Sequence, residues 1–353
     1  MTELSMPHVG VLPAGALGTI ADVPGVTVGH CTLADGPIQT GVTVVRAHRD
    51  DPYRYKVPAA ASVINGFGKS IGLVQVEELG VLETPIALTN TFGVAAVAQA
   101  QIRAAIASNP QIGREWSTVN PLVFECNDGY LNDIQALAIE ESHYAQAFDA
   151  AAFEFERGSV GAGRGMSCFD LKGGIGSASR VANLAGKDFT VGALVLANFG
   201  RLPMLTIDGV PLGRELHRRK QSATTAKPEQ GSIIMIVATD APLDSRQLKR
   251  LSMRAAAGLA RTGSVYGHGS GDIALAFSTA WTVPHEGDFV ATPPLLSDAR
   301  LDPLFHACAD SVEQAIIDAL WSATSVTGRD AHTRRSLREA APDLAQLLKR
   351  HTT

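Results

Sequence analysis

Short apolar runs separated by turn residues fill the first 65 positions. Val26-Thr27-Val28 and Gly41-Val42-Thr43-Val44-Val45 are bounded by Pro and Gly and read as strands. Residues 82–88 form another strand-like run. The period then changes. Val94, Val97, Ala98, Ile102 and Ile106 recur at helical spacing, which predicts a helix after Thr89-Asn90-Thr91, with Asn90 or Thr91 as its cap. A second helix is expected over residues 132–151. Residues 158–180 are dense in glycine, so backbone that is neither helix nor simple strand is expected there.

Residues 189–198 and 232–238 are continuous apolar runs and read as buried strands. Asp244 caps a helix carrying Leu248, Leu251, Ala255 and Leu259, and Gly263 stops it. Residues 273–278 are a further strand and residues 311–323 a helix. Residues 334–350 read as helix interrupted near Pro342. Strands and helices cluster rather than alternate strictly, which favours a layered α+β arrangement over a doubly wound parallel sheet. No repeat and no domain linker is evident. The polar stretch 217–231 reads as a surface loop within one globular unit.

Composition narrows the function. The chain has 353 residues, 45% of them apolar and 18% charged, which allows a sizeable core. Thirty Lys and Arg against 35 Asp and Glu give a net charge of −5. Nothing clusters positive charge as nucleic-acid binding requires. Arg218-Arg219-Lys220 is a short solvated run. Cys31, Cys126, Cys168 and Cys308 form no CxxC pair and read as buried free thiols, not a zinc site or disulfide framework. No signal peptide and no membrane-spanning run is present, so a soluble cytoplasmic protein is expected.

Several tempting motifs fail. Gly68-Lys69-Ser70 lacks the upstream glycine of a phosphate loop, because position 63 is Val63. Gly161-Ala162-Gly163 and Gly174-Ile175-Gly176 would need a third glycine where Met166 and Ser179 stand. His268-Gly269-Ser270-Gly271 has His268 where a nucleophile elbow needs glycine. The histidines form no HExxH, and neither a metal nor a cofactor is expected.

One constellation survives. Gly231-Ser232 joins the polar stretch to an apolar strand. Alone it also reads as a plain turn. A serine there is equally placed to cut its own chain and become an N-terminus carrying both a hydroxyl and an amine. Asn198 ends the preceding buried strand, where its amide can donate to an oxyanion or satisfy a turn. Ser270 and Asp272 lie two apart, so extended backbone points them to one face. A hydroxyl beside a carboxylate suits holding an amine, or an Asx-type turn. Glu125 and Asn127 sit in Phe124-Glu125-Cys126-Asn127-Asp128-Gly129, after an apolar strand. Acidic groups at a strand end suit a substrate ammonium, or a helix start.

Longer motifs carry a resemblance over nearly the whole chain. They include Asp22-Val23-Pro24-Gly25-Val26-Thr27-Val28-Gly29-His30, Ile64-Asn65-Gly66-Phe67-Gly68-Lys69 and Glu83-Thr84-Pro85-Ile86-Ala87-Leu88-Thr89-Asn90-Thr91. Gly158-Ser159-Val160-Gly161-Ala162-Gly163 and Lys172-Gly173-Gly174-Ile175-Gly176-Ser177-Ala178-Ser179-Arg180 follow, then Gly231-Ser232 and Gly269-Ser270-Gly271-Asp272. Together they resemble the L-aminopeptidase/D-esterase family, which includes the β-peptidyl aminopeptidases. The resemblance implies a single αββα sandwich similar to N-terminal-nucleophile hydrolases, with different connectivity. It implies self-cleavage into residues 1–231 and 232–353. Ser232 falls on the nucleophile, Asn198 on the oxyanion amide, and Ser270 and Asp272 on the helper pair. The acid is often Glu in β-peptide-cleaving members, and Asp272 is shorter. Glu125 and Asn127 fall in the substrate-binding neighbourhood. The implied activity is removal of the N-terminal residue from short peptides, aminoacyl amides or esters, by a homotetramer of αβ units. Alternatives are an acyltransferase of the ornithine acetyltransferase type, whose members use Thr at the cut, and an unprocessed small-molecule-binding protein.

Overall fold

A computed structural model describes residues 5–219 and 230–349. Two sheets lie at its centre. The smaller has four strands in the order β1 (Thr27–Asp35), β2 (Ile38–Arg46), β4 (Ile86–Asn90) and β5 (Leu122–Cys126). The larger has seven. Its path runs from the short Val283–Pro284 strand through β3 (Tyr55–Gly66), β9 (Gly269–Ser278), β8 (Gln230–Thr239), β7 (Lys187–Asn198) and β6 (Gly174–Leu184). β8 runs antiparallel to β7 and parallel to β9. A parallel neighbour needs a crossover, and α4 (Ser245–Arg261) supplies it.

Side-chain alternation divides the core into layers. Ile234, Ile236 and Ala238 face the space between the sheets with Leu194, Leu196, Leu275 and Phe277, against Val28, Leu88 and Phe124. Ile233, Met235 and Val237 face the other way, onto Leu248 and Leu251 of α4 and Val312 and Ile316 of α5 (Asp302–Trp321). On the outer face of the small sheet, Val42, Val44 and Val123 pack against Val97 of α1 (Val94–Ser108). Tyr144 and Ala147 of α2 (Glu141–Asp149) join them. The order is helix, sheet, sheet, helix, so the expected αββα sandwich is the observed architecture.

The same parity positions the candidate chemistry. Ser232 is in step with Ile234 and Ile236, and Asn198 with Leu194 and Leu196. Both belong to the face between the sheets. Ser270 and Asp272 are in step with Ala274 and Ala276, on the side of the helices. The pairing of β9 with β3 shifts between Asp272 and Ile273, where β3 carries one residue more.

Caps behave as the sequence predicts. Asn90 accepts from the Gly93 N–H at 2.7 Å ahead of α1, and Asp244 accepts from the Gln247 N–H at 2.7 Å to start α4. Gly263 follows α4 in left-handed backbone at φ +104. All four cysteines are buried free thiols.

Other boundaries differ, for local reasons. The helix expected over 132–151 is only α2. Asn132 is engaged elsewhere, donating to Asp128 at 3.1 Å and accepting from the Gln39 N–H at 3.0 Å, and Leu137 takes a left-handed φ of 49. The run 82–88 is two strands, Val81–Leu82 on the large sheet and β4 on the small one. Pro85, which has no N–H to donate, lies between them. Up to Gly173 the glycine-rich segment holds a 3-10 turn at Gly161–Gly163 and a small hairpin pairing Ser167–Cys168 with Leu171–Lys172, and 174–180 belongs to the regular strand β6. Glycine there serves close packing: a Cβ on Gly176 would lie 2.5 Å from the Ala319 nitrogen of α5. The helix expected at 311–323 begins earlier, with Pro303 in its first turn. The segment around Pro342 is two short helices, Leu337–Ala340 and Leu344–Lys349. Of the expected loop 217–231, residues 217–219 close α3 (Leu212–Arg219) and 230–231 open β8. Residues 220–229 lie outside the described residues.

Candidate active site

Strand pairing sets Ser232 at the start of β8. It faces Asn198 across the ladder to β7 and Gly271 across the ladder to β9. The Ser232 hydroxyl accepts from the Gly271 N–H at 3.2 Å, and the residue is 6% exposed. Immediately before it, Gly231 lies so close to the β7 backbone that a Cβ would collide with the Asn198 carbonyl oxygen. The same Cβ would sit 2.8 Å from Phe199 Cα.

Asn198 is oriented from both ends. Its Oδ1 accepts from the Ser167 N–H at 2.8 Å, and its Nδ2 donates to the Asn127 carbonyl at 2.9 Å. An amide nitrogen carries two hydrogens, and the bond to Asn127 uses one of them. The Ser270 hydroxyl donates to Asp272 Oδ1 at 2.6 Å, and both residues are buried. They bracket Gly271, whose N–H holds the Ser232 hydroxyl. The turn ahead of them is tied by Asn65 Nδ2, which donates to the carbonyls of Gly267 at 3.1 Å and Ser270 and lies 3.3 Å from that of His268.

A cavity of about 840 Å³ opens over this junction, within the size range of small-molecule sites. Ser232, Gly231, Asn198, Glu125 and Asn127 all line it; Ser270 and Asp272 stand behind the sheet and do not. Glu125 at the end of β5 accepts from the Lys69 N–H at 2.7 Å and from the Thr91 hydroxyl. Asn127 turns its side chain to the Gly129 N–H at 2.8 Å and contributes its carbonyl to Asn198. Sequence reasoning missed Phe67, Lys69, Thr91, Ser167 and Arg334, which also line the cavity. Phe67, Lys69 and Thr91 fall inside quoted motifs, Thr91 read only as a helix cap and none of them assigned to the site. Ser167 and Arg334 carry no local signal.

Two buried titratable groups lie next to the segments that hold Asn198. Burial pushes the Asp128 carboxyl up to about 6, while hydrogen bonds from Thr40, Asn132 and Asn90 act in the opposite direction. Lys172 donates to the carbonyls of Gly163, Met166 and Gly173 at 2.9, 3.0 and 2.7 Å. Burial pushes its ammonium well down and Arg164 adds to this, with Cys168 and Asp128 opposing. Three carbonyl acceptors use all three ammonium protons. They clamp the segment that presents the Ser167 N–H to Asn198. Among the described residues, no group of three or more His, Cys, Asp or Glu is arranged to hold a metal ion, and no helix is long and apolar enough to cross a membrane.

Known proteins resemble this chain in sequence and in fold. A β-peptidyl aminopeptidase, BapA of Sphingosinicella microcystinivorans, is 38% identical over 99% of this chain and 91% of its own. The crystal structure of the PH0078 protein from Pyrococcus horikoshii superposes with a TM-score of 0.92 at 46% identity, covering 98% of both chains. The L-aminopeptidase D-Ala-esterase/amidase of Ochrobactrum anthropi, described as a variant of the Ntn hydrolase fold, superposes at 0.89. It is 33% identical, over 98% of this chain and 97% of its own. The model of peptidase family S58 matches residues 18–334. By that match and these relatives, the chain belongs to peptidase family S58, a hydrolase of the aminopeptidase kind.

Proposed function

We propose that the chain is a self-processing serine aminopeptidase that releases the N-terminal residue from short peptides, aminoacyl amides or esters. The observation that carries this reading is the Ser232–Asn198 pair, opposed across one ladder at the cavity, with Gly231 held against the Asn198 backbone. Family membership supports the coarser activity. The geometry supports the finer one.

In the precursor, Ser232 Oγ attacks the Gly231 carbonyl carbon. The Gly231–Ser232 C–N bond breaks as the Oγ–C ester bond forms, and the hydroxyl proton passes to the departing nitrogen. Water then hydrolyses the ester, leaving a carboxylate on Gly231 and a free amine and hydroxyl on Ser232. An α-amine has a pKa of roughly 7.7–8, so at neutral pH it can act as base toward its own hydroxyl. In the mature enzyme, Oγ attacks the substrate carbonyl while the amine takes its proton. The second Asn198 Nδ2 hydrogen meets the oxyanion. The proton passes to the leaving amine, and water releases the acyl group. Ser270 and Asp272, bracketing Gly271, hold the new Ser232 amine from behind. Glu125, oriented by Lys69 and Thr91, takes the substrate ammonium.

Release of p-nitroaniline from a panel of L-, D- and β-aminoacyl p-nitroanilides tests this reading. Turnover that disappears in Ser232→Ala supports it. Full activity in Ser232→Ala overturns it.

A further inference from the structure

Arg334 occupies the wall of the same cavity, on the Thr333–Arg334 strand paired with Val326–Thr327. Its Nε donates to the Ser167 hydroxyl at 3.1 Å. The Ser167 N–H in turn holds Asn198, the ladder partner of Ser232. Two hydrogen bonds therefore separate this guanidinium from Asn198, the ladder partner of the nucleophile.

Its plane is fixed. Cζ lies 3.9 Å from the centroid of the Tyr130 ring, and Tyr130 stacks on His332 at 4.6 Å with an interplanar angle of 7°. The other polar contacts are long. Nη1 is 3.5 Å from the Asp170 carbonyl oxygen, and Nη2 is 3.8 Å from Asp170 Oδ1. The second carboxylate oxygen of Asp170 accepts from the Leu202 N–H at 3.1 Å. A guanidinium has five N–H donors in a rigid fork, and a carboxylate that meets the fork edge-on takes two parallel bonds. Asp170 offers only the long contacts, and the Arg334 side chain is 21% exposed.

The cavity is thus bipolar. Glu125 approaches the nucleophile from the β3 side, through Lys69, which follows that strand. Arg334 approaches from the β7 side, through Ser167 and Asn198. Lys69, the other lysine or arginine of the lining, belongs to the acidic end: its N–H serves Glu125 and its Nζ lies 4.3 Å from the Phe67 ring centroid. A substrate with its ammonium at Glu125 and its scissile carbonyl at Ser232 directs its leaving residue toward Arg334. We infer that Arg334 anchors the C-terminal carboxylate of the leaving residue, so that the site selects free dipeptides over their C-terminal amides. This rests on the proposed aminopeptidase reading and names its leaving-group specificity.

The test compares kcat/KM for a dipeptide, its C-terminal amide, and the p-nitroanilide of the same N-terminal residue. The wild-type enzyme should prefer the free dipeptide to its amide by about tenfold or more, as a charge-assisted pair provides. Arg334→Met should cut that ratio about tenfold or more, whatever loss the two substrates share. Arg334→Lys should be intermediate, and Lys69→Met should leave the ratio near its wild-type value. If Arg334→Met does not fold, the wild-type and lysine ratios still decide. A wild-type ratio near one, equal losses on both substrates in Arg334→Met, or a ratio that collapses only in Lys69→Met overturns the inference. Release of p-nitroaniline alongside such a result leaves the aminopeptidase reading standing. No turnover of any of the three removes both.

Discussion

Asn198 and Ser232 are direct partners in the antiparallel ladder between β7 and β8, and both belong to the face between the sheets. A hydroxyl and an amide donor are therefore held side by side by backbone pairing. Neither depends on a mobile loop for its position. The Asn198 amide is locked by Ser167 and Asn127, so it needs no reorientation as charge develops.

Asn198→Ala should lower kcat by about 10²–10³, the cost of one oxyanion donor. It should also slow chain cleavage, because both proposed reactions would place an oxyanion beside Ser232. Steady-state kinetics on cleaved protein, with a gel time course on freshly made protein, check the two effects. An unchanged kcat contradicts the assignment.

Gly231→Ala puts a methyl group against the Asn198 carbonyl and Phe199 Cα. The strand start must shift, and the attacked carbonyl shifts with it. Cleavage should slow by at least about tenfold, since misplacement of about 1 Å costs up to a hundredfold. A gel time course gives the rate, and wild-type kinetics in the variant contradict the claim.

How much was legible beforehand follows from the range of each interaction. The strand of Ser232 is a continuous apolar run because both faces are buried, and Asn90 and Asp244 cap within three residues of their partners. Such signals are local. The layered α+β class followed from the order of these elements. The spacing of Ser270 and Asp272 was also readable, but their placement behind the sheet required the register of β9 on β8. The convergence of Lys69, Thr91 and Glu125 joins three separate strand ends. Arg334 reaches Ser167 across 167 positions, and no pattern within a window of sequence reports that. The false helix start at 132 has the same origin, since Asn132 is committed to Gln39 and Asp128.

Glu125→Gln removes the carboxylate charge that we propose meets a substrate ammonium, and keeps the side chain's shape. Its kcat/KM for free aminoacyl p-nitroanilides should fall about ten- to a hundredfold. The loss for N-acetylated counterparts should be smaller. Equal losses on both would place Glu125 outside amine recognition.

Asp128 links stability to pH. Its carboxyl titrates at about 6 in the fold against an ordinary value of 3.8, so the folded state holds its proton longer than the unfolded chain. The unfolded chain gains by ionising first, so this group's contribution is full below pH 3.8 and declines until about pH 6. The decline amounts to about 3 kcal/mol. Asp128→Asn has no such proton to lose. Urea unfolding of both proteins from pH 4 to 7 should show the wild type losing about 2.4 kcal/mol relative to the variant. Parallel profiles contradict this.

Self-cleavage at Gly231–Ser232 is decided by mass and N-terminal sequence. Purified wild-type protein, denatured and separated, should give two chains, and the smaller should begin Ser-Ile-Ile-Met. Ser232→Ala should give one chain of full length and no aminopeptidase activity. An intact wild-type chain that is fully active, or a cut at any other bond, would contradict the account.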